Sequence, residues 1–381
     1  MEHERVFRCI EEKKDAYLRF WEDVAALESP TDDKARVDAV GDYFARAAAE
    51  KGWRVETDVE KTAGNAICIT SHPEAAGVPV AFSGHMDTVH PVGSFGSPAV
   101  RRENGRLYGP GVTDCKGGVV AAFLAMDALD ACGFSARPLK LILQSDEETS
   151  SLQSAKHTVA FMLEKARDCA AFLNCEPQED AVILARKGIL RYRLVIHGKS
   201  VHSSECPNGV NALAEAAHKI LELEKMKDTD GLTCSCNVIA AGDKANVVPA
   251  LCTFVVDIRF VTAEQRARAQ ETVRKVAARS FIAGSRCEAE LLSERVAMEP
   301  CERNRALLER LNAAFAKAGL PALSSKTAVS GSDAADIASA GIPCLDGFGV
   351  LGGRIHSHEE YAEIPSLAES ARRLAAAALY L

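Results

Sequence analysis

No two cysteines stand in a C-x-x-C pair, although thirteen are scattered along the 381 residues. That excludes a dithiol redox motif or a zinc ribbon. An odd, dispersed set at this length also argues against a disulfide framework. Small buried thiols in a reducing compartment are expected, with Cys234 and Cys236 on one strand face. No uninterrupted apolar run reaches about eighteen residues, so no membrane span is expected. The opening "MEHERVFRCIEEKKDAYLRFW" is charged and amphipathic and lacks the apolar core and cleavage site of an export signal. A cytoplasmic location is therefore expected. Positive charge is not in excess, and the net charge of −8 disfavours nucleic acid and acidic membranes as partners. "HGKS" lacks the glycine a phosphate loop requires, because that place holds Arg193. There is no internal repeat or low-complexity tract.

What is present is an ordinary globular mixture, 47% hydrophobic and 26% charged, of a length that suggests two domains. Short apolar runs such as "AGNAICIT", "VPVAFSGHMD", "PLKLILQSDEE" and "CAAFLNCEPQ" read as buried strands. They alternate with helical patterns such as "DDKARVDAVGDYFARAAAEKG", which stops at Gly52, and "GGVVAAFLAMDALDACG", which stops at Gly133. This alternation predicts an α/β sandwich on a mostly parallel sheet. Near residue 188 the pattern changes. "ILRYRLVIHG" alternates strictly, as a strand with one wet face does. It opens the order β-α-β-β-α-β of a ferredoxin-like unit, whose second helix carries a Thr262/Gln265 capping box. From about residue 299 the first style returns. The expected organisation is an α/β/α domain over 1–187 and 299–381, interrupted by an inserted α+β domain over 188–298.

Acids and histidines cluster where strands end. His85 and Asp87 follow one buried strand, Glu147 and Glu148 another, and Glu176 a third. Asp114 lies in a Gly-rich loop before a helix, and His356 and His358 lie in a loop after glycines. In open parallel sheets the carboxyl ends of the strands form the ligand crevice, so these groups should converge. Five converging carboxylates would raise one another's pKa unless cations balanced them. Imidazole with carboxylate ligands suits catalytic zinc, and a bridging carboxylate suits a two-metal hydrolase. His72 and His90 flank a strand and read as surface residues.

Taken in order, "SGHMDTV", "GPGVTDCKGG", "DEE", "CEP" and "IHSHEEY" resemble the motifs of the dinuclear-zinc amidohydrolases. That family includes glutamate carboxypeptidases, aminoacylases, acetylornithine deacetylase and succinyl-diaminopimelate desuccinylase. The likeness spans nearly the whole chain, and "ESPTDDKARVDAVGDYF" is most similar to the glutamate carboxypeptidase branch. The resemblance implies a zinc-peptidase-like fold with an inserted lid that mediates a homodimer. It implies two zinc ions, with cobalt or manganese as substitutes. His85 and Glu176 would hold one, Glu148 and His356 the other, and Asp114 both. Asp87 would orient His85, and Glu147 would be the general base. His358 fills the variable place of the family's His-Ser-x-Glu-Glu-Tyr pattern. A cis peptide is implied after Asp114.

In the inserted segment the resemblance makes His202 an oxyanion stabiliser, acting across the dimer, and gives Asn246 and Arg259 to substrate binding. Arg354, near His356, is a further candidate for acidic substrates. Two departures stand out: Ser150 and Gln153 replace family glycines after the acids, and Ser150 is expected to cap the following helix. The implied reaction is hydrolysis of an amide beside a free carboxylate in a small peptide or N-acyl amino acid. A deacylase of one acyl amino acid is the alternative. A non-catalytic binding protein that kept the fold is the remote one.

Overall fold

The computed structural model describes residues 2–178 and 181–381. Its elements follow from the patterning. Helix α1 (Glu2–Ala26) buries Val6, Ile10, Trp21 and Val24 on one stripe. Helix α2 (Lys34–Glu50) starts at Asp33, whose side chain accepts the N–H of Arg36, and its chain reverses at Gly52, where φ is +74°. Strands β1 (Arg54–Asp58), β2 (Ala66–Ser71) and β3 (Val80–His85) come next, and every residue of β2 and β3 is buried. After two short strands, β4 (Arg101–Glu103) and β5 (Arg106–Tyr108), comes helix α3 (Lys116–Ala131). It is buried from Lys116 to Leu129 and packs against α1 and β3. Each fully buried Val, Leu or Phe in it contributes about 1.5–3 kcal/mol. Then follow β6 (Leu139–Gln144), α4 (His157–Ala166), β7 (Ala171–Asn174) and β8 (Val182–Arg186).

The middle of the chain is β9 (Gly188–His197), α5 (Ala212–Glu224), β10 (Thr233–Ala241), β11 (Leu251–Phe260), α6 (Ala263–Ala278) and β12 (Arg286–Arg295). Its four strands form an antiparallel sheet in the order β10-β11-β9-β12. Leu190, Leu194, Phe254 and Ile258 bury one face against Ala216, Leu223 and Val273 of the two helices. The Thr262/Gln265 box caps α6. A buried ion pair closes its other end: Lys219 Nζ donates to the carbonyls of Val276 and Arg279, and Glu215 accepts the N–H groups of Phe281 and Ile282.

The chain continues through α7 (Glu302–Lys317), β13 (Ser325–Ala328), α8 (Ala334–Ser339), β14 (Cys344–Asp346), β15 (Gly352–Gly353), β16 (Tyr361–Glu363) and α9 (Ser366–Tyr380). Two compact units result. The first runs to Leu184 and resumes over Pro300–Thr327 and Ser332–Leu381; the second is Ala185–Glu299 with Ala328–Gly331. The large sheet has the order β1-β2-β6-β3-β7-β14-β8-β13. Its centre, β6-β3-β7-β14, is parallel, but β2 pairs β6 antiparallel and β14 pairs β8 antiparallel. The sheet is therefore mixed, and the expectation of a mostly parallel one holds only for its centre. A small antiparallel sheet, β15-β16-β5-β4, also forms. Its strands of two or three residues are too short to show an alternating pattern.

Candidate metal centre

Register brings the strand ends together. His85 pairs with Gln144 across β3 and β6, and Ser83 pairs with Asn174 across β3 and β7. The residues just past these ends are Asp87, Glu147, Glu148 and Glu176, on one edge of the sheet. Asp114 comes to the same edge at the start of α3, where Gly118 permits close approach. A Cβ there would stand 2.1 Å from the carbonyl oxygen of Cys175. The Asp114–Cys115 peptide is cis.

Asp114 lies between two imidazoles. Its Oδ1 is 3.1 Å from His85 Nε2, and its Oδ2 is 3.3 Å from His356 Nε2. Glu176 Oε1 stands 3.7 Å from His85 Nε2, and Glu148 Oε2 stands 3.2 Å from His356 Nε2. The ligand atoms of His85, Asp114 and Glu148 all lie within 4.8 Å of one another. The structure thus sets His356 beside the carboxylates, while His358 faces the rings of His90 and Phe95.

The electrostatics ask for positive charge. Burial, reinforced by Asp114, pushes Glu176 well above the usual carboxylate range. Burial and Asp114 also push Glu148 up to about 7, although His356 opposes them. Asp114 is itself held low, because hydrogen bonds from His356 and His85 outweigh its burial. The same bonds, to Asp114 and Glu148, push His356 up to about 10. The donor set, two imidazoles and three carboxylates with one carboxylate shared, fits a pair of divalent cations.

Asp87 organises the edge. It is fully buried, and its main-chain carbonyl and Oδ1 lie 3.0 and 3.3 Å from His85 Nδ1, leaving Nε2 to face Asp114. The same carboxylate accepts the N–H groups of Glu147 (3.2 Å) and Glu148 (3.1 Å) and the hydroxyl of Thr31 (2.8 Å). Asp146 pins the loop beyond, accepting from Thr158 Oγ1 and the N–H of Ser154. Ser150 does not cap a helix. It adopts φ +60° at the end of the turn over Glu147–Thr149, and α4 begins only at His157.

Several residues here were not singled out in the sequence. Glu360, fully buried, accepts the N–H groups of Thr113 (2.9 Å) and Asp114 (3.0 Å) and fixes the loop that presents Asp114. Its other oxygen lies 2.9 Å from His90 Nε2. His90 is therefore buried, and the surface expectation is corrected: the chain folds a carboxylate from 270 residues away onto it. The Glu-Glu-Tyr of "IHSHEEY" was the available signal for Glu360. Lys116 is also buried; burial pushes its ammonium down to about 7 despite Glu360, Asp87 and Glu28. Cys115 Sγ accepts the N–H of His85, and burial pushes the thiol up to about 12.

Three candidates belong to the second unit. His202 is exposed and holds Ser204 Oγ at 2.8 Å, and its neighbour Ser203 donates to the carbonyl of Asn246. Arg259 is bound by Asp257 through Nε and Nη2. In the first unit, Arg354 is exposed and paired with Glu359.

Residues 81–380 match the family model for peptidase family M20/M25/M40. Carboxypeptidase G2 of Pseudomonas sp. (strain RS-16) is 26% identical over 372 residues, covering 95% of this chain and 88% of that protein. Acetylornithine deacetylase of Myxococcus xanthus is 29% identical over 259 residues, 64% of each. The crystal structure of aminopeptidase PepT from Bacillus cereus ATCC 10987 superposes with a TM-score of 0.76 at 20% identity, covering 96% of this chain and 97% of that one. That last likeness speaks to the fold alone.

Proposed function

The chain belongs to peptidase family M20/M25/M40, and from that premise we propose that it is a carboxypeptidase-like hydrolase, cleaving an amide beside a free carboxylate. The observation that carries the reading is Asp114, with one oxygen toward His85 and the other toward His356. His85 with Glu176, and His356 with Glu148, would hold two zinc ions that share Asp114. When bound, such a pair lowers the pKa of water and polarises a carbonyl.

This chain's own groups would do the rest. Asp87 holds the His85 ring through Nδ1 and keeps Nε2 turned inward. Glu147, whose N–H is fixed by Asp87 and whose side chain is buried, takes the proton of the attacking water and delivers it to the leaving amine nitrogen. Roles for His202 as oxyanion donor, and for Asn246, Arg259 and Arg354 in gripping the substrate carboxylate, rest on the motif resemblance. Likeness to carboxypeptidase G2 across 95% of the chain supports the peptidase reading. Likeness to acetylornithine deacetylase supports an N-acyl-amino-acid deacylase as the second reading. A cytoplasmic homodimer formed through 188–298 completes the proposal.

The test is metal analysis of the purified protein with a panel of peptidyl- and acyl-amino acids. Release of a C-terminal amino acid by the zinc-loaded protein is expected, lost on chelation. Fully zinc-loaded protein inert on every amide would sink the proposal.

A further inference from the structure

Beside Glu148 the first unit carries a groove of about 890 Å³ that the reaction as described does not use. It is lined by Pro30, Asp32, Val89, Val92, Glu148 and Gln153 among others. Its apolar part includes exposed side chains, Val89 at 40% and Val92 at 45%, so it offers contact area to an alkyl chain. Its charge is one-sided. Asp32 is exposed and has no ion-pair or hydrogen-bond partner among the described residues. Asp33 is committed to capping α2. The one cation in the lining, Lys34, is already held by Asp38 and Asn65 at 2.9 and 2.8 Å.

Two polar atoms in the lining are also unsatisfied. Thr88 is 1% exposed, and its Oγ1 has no hydrogen-bond partner; the buried Oε1 of Gln153 has none either. Buried polar atoms without partners are costly. The free carboxylate of Asp32 is complementary to a hydrogen-bond donor with positive charge, and the two orphaned oxygens lie buried behind the same lining.

We propose that this groove receives the acyl side of the scissile amide and selects acyl groups that end in a protonated amine, with Asp32 and Gln153 as specificity-determining residues. The inference rests on the amide-hydrolase reading, because that reading puts the scissile bond next to Glu148. An alkyl chain lies along Val89 and Val92, and its ammonium is met by Asp32, with the Gln153 side chain in the same lining.

The test uses three glutamate amides of matched length: 6-aminohexanoyl-, hexanoyl- and adipoyl-glutamate. kcat/KM is measured with zinc-loaded wild type and Kd with zinc-loaded Glu147→Ala. The amine-bearing substrate is expected to lead the neutral one by about five- to tenfold and the acidic one by more, as a small number of partly solvated charge contacts allows. Asp32→Asn and Gln153→Leu should each shrink that ratio, and so should high salt. Asp32 is exposed, so its replacement does not threaten the fold.

Equal constants for the three amides, or a preference that survives Asp32→Asn, overturn the groove while turnover leaves the hydrolase reading standing. Ranked binding without turnover by wild type overturns the hydrolase reading and supports the groove. Neither binding nor turnover overturns both.

Discussion

His85 Nε2 lies 3.1 Å from Asp114 Oδ1, although 29 residues separate them and each is held from behind by a different buried carboxylate. Asp87 stands at Nδ1 of the histidine, and Glu360 receives the N–H of the aspartate. The two groups are thus each fixed by contacts of this chain's own.

Asp87→Ala should weaken cation binding by about ten- to a hundredfold, because it frees the N–H groups of Glu147 and Glu148 and leaves Nδ1 of His85 with only the main-chain carbonyl of residue 87, 3.0 Å away. Competition with a chelator of known affinity measures this. Unaltered affinity would mean that the main-chain carbonyl of residue 87 orients the ring by itself.

Glu147→Ala should keep its metal content and lose about 10²–10⁴ of turnover, the usual contribution of a positioned general base. Elemental analysis beside single-turnover kinetics separates the two effects. A variant that turned over normally would remove Glu147 from the mechanism.

Asp127 receives Lys51 (2.7 Å), Lys13 (2.9 Å) and the hydroxyl of Tyr17 (2.8 Å), which outweigh its burial and hold its carboxyl below the usual range. A depressed carboxylate stabilises above its unfolded pKa, about 3.9, and that stability is lost as pH falls through the folded value. Asp127→Asn should therefore cost about 2 kcal/mol at neutral pH, and the gap to wild type should close only below about pH 4. Denaturant titrations at pH 7, 5 and 3 read this directly. A gap that is the same at all three would show that charge is not its origin.

Ser150→Gly should raise stability by about 1 kcal/mol, since φ is +60° and only glycine adopts that region without a Cβ clash. The same exchange places no new atom near Glu148. Thermal melts of wild type and variant provide the comparison, and a lower midpoint for glycine would refute the strain.

Much of this site could be read along the chain because chemistry follows local pattern there. Buried strands announce their ends: His85 closes one of them, and Glu147 and Glu176 follow two others within a few residues. The Asp33 cap and the Thr262/Gln265 box are equally local, each spanning three residues of backbone. Glu360 and His90 escaped that reading because neither sits in a periodic segment and their contact spans 270 residues. The left-handed Ser150 escaped because a non-glycine residue does not announce a positive φ. The groove beside Glu148 escaped because Pro30, Thr88 and Gln153 come from three separate loops.

The sequence alone determined the residue types at the strand ends, the change of patterning near residue 188 and the family. These depend on hydrophobic period and on motifs a few residues long. Only the tertiary structure decided which oxygen of Asp114 meets which histidine, that Asp87 binds two successive amides, and that Glu360 fixes the loop behind Asp114. Those are distances between groups brought together by strand register and helix packing, and no local pattern encodes them.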